Sequence, residues 1–211
     1  MTKPRTKRRT APREVRKDQL IKATIRSIAR HGLSETTIAT VANEAGLSQG
    51  IINLHFQSKE RLLEETLGYI VADYRTAWYK ALETSGDSAA EKLAALAAVD
   101  FDKRICQRNK LAVWFAFWGE SRSRLTYRKT CAESSREYKG LLTLLCDDII
   151  NQGKYNLQAH HVAVGLLAMN GGLWLDMLIS PTDMPADKAR AISLSYLQGI
   201  FPKHFPEQEN G

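Results

Sequence analysis

A chain of 211 residues with 44% hydrophobic content can bury a real core, as one large domain or as a small domain joined to a larger one. Its net charge of +7 sits almost wholly in the first seventeen residues, where Lys3, Arg5, Lys7, Arg8, Arg9, Arg13, Arg16 and Lys17 face Glu14 alone, so residues 18 to 211 sum to zero. No apolar run approaches the eighteen residues a bilayer span needs, and the basic start is followed by no signal-type apolar stretch, so a cytoplasmic place is expected. Cys106, Cys131 and Cys146 are odd in number, scattered and without C-x-x-C spacing, which excludes a disulfide framework and a zinc site and leaves no metal or cofactor to expect.

After the basic arm, Val15, Ile21, Ile25 and Ile28 form an apolar stripe that closes at His31-Gly32, predicting a first helix over 14 to 31. Thr36 or Thr37 can then cap a second helix whose Ile38, Val41, Ala42 and Ala45 share one face. Gly46 supplies a left-handed stop, and Leu47 bridges the turn. Ser48 is placed to cap a third helix with Ile51, Ile52 and Phe56 inward and Gln49, Asn53 and His55 outward. Two short helices around one glycine can be an ordinary helical hairpin or a helix-turn-helix reader of the major groove. A cationic arm beside them and a neutral body behind favour the second, because clustered cations bind phosphate by counterion release. Arg5, Lys7, Arg8 and Arg9 are the arm's candidate contacts, with a solvated tail as the alternative.

Ser58 begins a long helix at Lys59, with Leu63, Leu67, Ile70, Tyr74 and Trp78 three or four apart and the pattern running to about Leu82. Ser85-Gly86-Asp87 is the clearest break. Helix-length patterns then follow over 88 to 104, 109 to 121, 124 to 152, 157 to 180 and 186 to 200, and no stretch alternates with period two. The fold class is therefore all-α, with about nine helices: a three-helix N-terminal domain over residues 1 to 57 and a larger helical domain over 58 to 211.

The segment Leu111-Ala112-Val113-Trp114-Phe115-Ala116-Phe117-Trp118 is apolar all round, so its helix is expected to be buried on every side. Trp114 and Trp118 lie four apart on one face, and Trp174 comes with Asp176 after a glycine pair. Aromatic faces attract a quaternary ammonium and a carboxylate neutralises it, so these residues can build a cation cage or can simply be core. Asp102 belongs with them as a candidate acid, although it directly precedes Lys103-Arg104 and can end a helix in salt bridges. Tyr127 offers a ring face and a hydroxyl, or an amphipathic surface position. The last two helices carry apolar stripes with Gly165, Gly171 and Gly172, and two copies of the pair would form a four-helix bundle about a two-fold axis.

From Thr36-Thr37 through Ile38, Val41-Ala42, Ala45-Gly46-Leu47-Ser48, Gly50, His55-Phe56, Lys59 and Leu62-Leu63 the chain resembles the TetR family of bacterial transcriptional regulators. The likeness covers roughly residues 20 to 63. It implies a homodimeric DNA-binding repressor whose operator contacts fall on Thr36, Thr37, Ser48, Gln49, Gly50, Asn53, His55 and Lys59. Asn53 stands where many members carry Tyr, and Asn can pair with adenine through N6 and N7. Farther on, Phe101-Asp102, Trp114 to Trp118, Leu125 with Tyr127-Arg128, and Gly172-Leu173-Trp174-Leu175 are similar to the BetI group, the choline-responsive repressors of glycine betaine synthesis. That likeness implies a choline-like effector held by Trp114, Trp118, Trp174, Asp102, Tyr127 and Asp176. Gly171 stands where the group has Asp, and Asp176 where it has Arg, so a different small ligand is the alternative effector.

An enzyme finds little support. His160 and His161 are adjacent and point about 100° apart on a helix, so they cannot form an i, i+4 metal pair, and no H-E-x-x-H, G-x-S-x-G or phosphate-loop spacing occurs. An architectural DNA-bending protein without effector would not need some 130 residues of nearly neutral C-terminal chain. The expected function is an effector-released, dimeric repressor acting on palindromic operator DNA.

Overall fold

The computed structural model describes residues 12–206, and among them nine α-helices and no strand. They divide into two compact units, Met1–Thr66 and Leu67–Gly211. The arm residues Arg5, Lys7, Arg8 and Arg9 lie outside the described residues.

In the first unit, α1 spans Arg13–Glu35, but Gly32 interrupts it with φ 81°, which marks the stop read at His31-Gly32. Val15 does not join the stripe: it is exposed, while Leu20, Ile21, Ile25 and Ile28 are buried. α2 covers Ile38–Ala45 and α3 covers Gln49–Phe56. Thr37, not Thr36, caps α2: its Oγ1 accepts from the Thr40 N–H at 3.1 Å while Thr40 Oγ1 accepts from the Thr37 N–H at 2.8 Å. Gly46 then turns left-handed at φ 63°, and the Leu47 N–H donates to the Ala42 carbonyl at 3.0 Å, satisfying the orphan end of α2. Ser48 occupies the cap position of α3 yet makes no side-chain cap bond there. Val41, Ala42, Ala45, Ile52 and Phe56 close the core against α1. Arg26 and Arg30 reach from α1 to Glu44 on α2, and Gln19 Nε2 donates to the Ala45 carbonyl at 2.9 Å, so the turn's entry is pinned by both charge and hydrogen bonding.

α4 runs from Lys59 to Thr84 and carries residues of both units. Ser58 caps it, accepting from the Arg61 N–H at 3.1 Å. In the second unit α5 spans Ala89–Val99, with Ser88 and Glu91 forming a capping box, so the pattern read over 88 to 104 stops five residues early at a turn. α6 covers Arg108–Glu120, α7 Leu125–Gly153, α8 Ala159–Ile179 and α9 Ala186–Ile200. The core gathers Trp78, Leu93, Leu96, Tyr138, Leu142, Ile149, Leu166, Leu197 and Phe201 from α4, α5, α7, α8 and α9 and the residue after it. Two expectations fail here. α6 is not buried on every side, because Trp118 stays 39% exposed and Phe115 is half-buried. α8 is long and apolar enough, at mean hydropathy 1.7, to pass for a membrane span by length and composition, contrary to the reading that no run approached that length. Its apolarity has another outlet: Val162, Ala163, Leu166, Leu173 and Met177 pack into the core, and buried Asn170 and Trp174 hydrogen-bond inside the unit.

Candidate nucleic-acid interface and ligand cavity

On α3, Gln49, Gly50, Asn53 and Leu54 point to solvent, and Ile52 and Phe56 hold the helix from behind. Leu54, 76% exposed, is the outward residue that the sequence reading did not name. An apolar side chain beside Asn53 is suited to a thymine methyl. A Cβ at Gly50 would meet only Ser48 Oγ, at 3.9 Å, so no close neighbour in the chain demands glycine there. Thr37 and Ser48 are exposed at the starts of α2 and α3, where unspent backbone N–H groups suit a phosphate. His55 is half-buried, its ring 6.2 Å from Phe56. Lys59 Nζ donates to the Ser34 carbonyl at 3.2 Å, so this cation is held near the end of α1. Thr36 turns the other way: it is buried, and its Oγ1 donates to the Gly32 carbonyl at 2.8 Å, which leaves it no outward hydroxyl.

The second unit contains a cavity of about 90 Å³, lined by Tyr74 and Trp78 of α4, Asp100, Trp114 and Trp118 of α6, Ser134 and Tyr138 of α7, and Asn170 and Trp174 of α8, with Cys131, Ser135, Leu167 and Gly171 completing the wall. That volume has room for several water molecules. Trp114, Trp118 and Trp174 come together on it: ring centres are 5.8 Å apart for Trp114 and Trp118 and 6.3 Å for Trp118 and Trp174, the latter pair nearly parallel at 13°. Tyr74 closes the set, its ring centre 5.6 Å from Trp174 and 6.1 Å from Trp114.

The acid on this cavity is Asp100, which the sequence reading missed. It is only 2% exposed and follows the last turn of α5. Tyr74 donates to its Oδ1, Tyr138 approaches the same oxygen at 3.3 Å, and Asn170 Nδ2 donates to Oδ2 at 2.7 Å. The Trp174 indole N–H donates to the Asp100 carbonyl at 2.8 Å, and Ser193 Oγ of α9 donates to Asn170 Oδ1 at 2.8 Å. Every partner is neutral, and among the described residues no Lys, Arg or His lines the cavity. Burial therefore pushes the Asp100 carboxyl up to about 6, against the pull of the Tyr74, Asn170 and Tyr138 hydrogen bonds. Burial, and then the Asp100 charge, raise both tyrosines well above their ordinary range, so they remain protonated donors.

Three residues expected at the site lie elsewhere. Asp102 is exposed in the turn after α5, where its Oδ1 accepts from the Arg104 N–H at 2.7 Å. Asp176 is exposed because two residues along a helix rotate it about 200° from Trp174. Tyr127 is buried, not amphipathic, with its ring edge-on to Phe117 at 4.9 Å.

Comparison with known proteins agrees with both halves of this geometry. Residues 20–66 match the family model for bacterial regulatory proteins of the tetR family, and residues 89–202 match that for the C-terminal domain of BetI-type transcriptional repressors. The HTH-type transcriptional regulator BetI of Burkholderia thailandensis is 35% identical over 163 residues, 77% of this chain and 82% of its own. BetI of Escherichia coli is 32% identical over 194 residues, 91% and 95% of the two chains. Among solved structures, a transcriptional regulator from Pseudomonas aeruginosa PAO1 superposes with TM-score 0.79 at 27% identity over 93% of this chain and 95% of its own. A regulator from Saccharomonospora viridis, solved in complex with choline, shares the fold with TM-score 0.79 at 24% identity, covering 89% and 97%.

Proposed function

Since the chain belongs to the TetR family of bacterial transcriptional regulators and carries a BetI-type repressor C-terminal domain, a DNA-binding rather than enzymatic class, we propose that it is a homodimeric, cytoplasmic repressor released from a palindromic operator by choline or a related quaternary ammonium, in control of betaine synthesis. The observation that carries the effector is Asp100, a buried carboxylate with no cationic partner at an aromatic cavity. A quaternary ammonium has no N–H to donate, so it is recognised by ring faces and by an unopposed negative charge. Trp114, Trp118, Trp174 and Tyr74 supply the faces, and Asp100 supplies the charge. The choline complex of the Saccharomonospora regulator is consistent with this ligand class.

Dimerisation falls to α8 and α9. Val164, Leu175 and Ile179 leave apolar surface exposed along α8, beside Ala168 and Gly172, which allow a second helix to approach closely. Two copies would set their α3 helices about 34 to 36 Å apart, one DNA turn. Gln49 and Asn53 then read bases; Thr37, Ser48, His55, Lys59 and the arm's Arg5, Lys7, Arg8 and Arg9 hold phosphates. The domains of this reading are the arm with the helix-turn-helix over 1 to 57, and the connecting helix with the sensing and dimerising region over 58 to 211. The test is calorimetric titration with choline and with its neutral isostere 3,3-dimethylbutanol, followed by operator release at saturation. Choline should bind more tightly by about tenfold or more and release DNA. Equal binding of the two overturns the cation reading.

A further inference from the structure

The cavity has two kinds of polar wall. Around Asp100 the groups are already engaged: Tyr74, Asn170 and Trp174 each donate to this one residue. The α7 side is different. Ser134 is 95% buried, lines the cavity, and has no hydrogen-bond partner among the described residues. One helical turn on, Tyr138 donates to the Leu96 carbonyl at 2.7 Å and stacks on Trp78 with ring centres 4.5 Å apart. Trp78 also lines the cavity, with its Nε1 beside the Tyr74 hydroxyl. The Ser134 hydroxyl is thus the cavity-lining polar group of this buried stretch that is left to pair with a ligand atom, and a ligand that pairs with it gains a hydrogen bond.

We propose that Ser134 is the hydrogen-bonding post for the effector's oxygen, so that the cavity takes a quaternary ammonium bearing an uncharged oxygen rather than a bare alkylammonium or a zwitterion. This rests on the cation reading above. An alcohol or aldehyde oxygen pairs with the Ser134 hydroxyl. A carboxylate in the same place meets the Asp100 charge with no Lys, Arg or His on the wall to offset it.

The experiment is a calorimetric series on the whole chain with choline, ethyltrimethylammonium and glycine betaine, for wild type, Ser134→Ala, Ser134→Thr and Thr126→Ala. Thr126 is an exposed hydroxyl on the same helix away from the cavity wall, which makes it the control. Wild type should favour choline over ethyltrimethylammonium by about fivefold, the worth of one neutral hydrogen bond. Ser134→Ala should erase that preference while leaving ethyltrimethylammonium affinity unchanged, Ser134→Thr should restore part of it, and Thr126→Ala should not alter it. Glycine betaine should bind more weakly than choline by about tenfold or more. An undiminished choline preference in Ser134→Ala overturns the assignment and leaves the cation reading standing. Failure of wild type to bind either choline or ethyltrimethylammonium overturns both.

Discussion

Replacing Asp100 by Asn should make the protein more stable and deaf to its effector. A carboxyl moved from 3.8 to about 6 by burial penalises the folded state by about 3 kcal/mol once it is ionised. The folded value lies above the unfolded one, so the penalty is complete above about pH 6, fades as pH falls from about 6 to 3.8, and vanishes where both states are protonated. Asn resembles the protonated acid in shape and charge. Its amide oxygen can accept from Asn170 Nδ2, and its amide nitrogen can donate to the tyrosine oxygens, since Tyr138 already sends its proton to the Leu96 carbonyl. Re-aiming those bonds costs about 1 kcal/mol, which leaves a gain of about 2 kcal/mol at pH 7.5. For a chain of this size that is about 4 to 8 °C in melting temperature, measured at equal protein concentration because dimers melt in a concentration-dependent way. At pH 5 the gain should be clearly smaller. Choline should raise the wild-type melting temperature and leave that of Asp100→Asn unmoved. A destabilised variant at pH 7.5, or a gain that is the same at pH 5, refutes the argument that an unpaired charge resides at this position.

Other perturbations separate the two units. Asn53→Ala should relax preference at one operator position per half-site by about 1 to 3 kcal/mol, whereas Lys59→Ala should weaken operator and random DNA alike and flatten the salt slope by about one; band shifts on both DNAs at several salt concentrations decide, and equal losses for Asn53→Ala count against base reading. Gly46→Ala, at φ 63°, should destabilise the reading module by about 1 to 2 kcal/mol in a denaturant melt, and no change would mean the turn tolerates a Cβ without strain. Tyr74→Phe keeps the ring against Trp78 and Trp174 but deletes the hydroxyl that ties α4 to Asp100. Choline should still bind to it while operator release weakens by about 1 to 3 kcal/mol of coupling, and release that tracks binding one for one would remove Tyr74 from the transmission.

The reading module was legible because each of its signals is local: a threonine cap, a left-handed glycine and helical spacing act within a few residues, and Thr37, Gly46 and Ile52 fall where spacing put them. The cavity was legible only for the tryptophans. Asp102 drew attention through the resemblance at Phe101-Asp102, yet the stripe Leu93, Leu96, Ala97 points its next turn at Asp100, not Asp102. Asn170 interrupts the α8 stripe of Val162, Ala163, Leu166, Leu173 and Trp174 in the same way. An acid or amide standing where periodicity demands an apolar residue was the available signal. That Asp100 and Asn170 meet each other, across 70 residues, follows from α5 and α8 both packing on α7 and α9, and leaves no local trace.

An uncompensated carboxylate is a poor way to hold a core together, since an apolar residue of similar size would usually serve the fold better. Asp100 nonetheless collects donors from α4 and α8, with the Tyr138 oxygen of α7 close by, and through Asn170 it reaches Ser193 on α9. On the proposed reading the cost is recovered when a cation enters. The ion then competes with Tyr74 for Oδ1, while Asn170 keeps Oδ2. A ligand shifts an equilibrium only by binding two states unequally, and a single charged atom shared between the connecting helix and the ligand is a direct way to make the affinities differ. Of the helices bound to Asp100, α4 is the one that also carries residues of the DNA-reading unit. On that reading, loosening its tyrosine while α8 and α9 remain tied through Asn170 and Ser193 changes the hold on the one helix whose residues both units share.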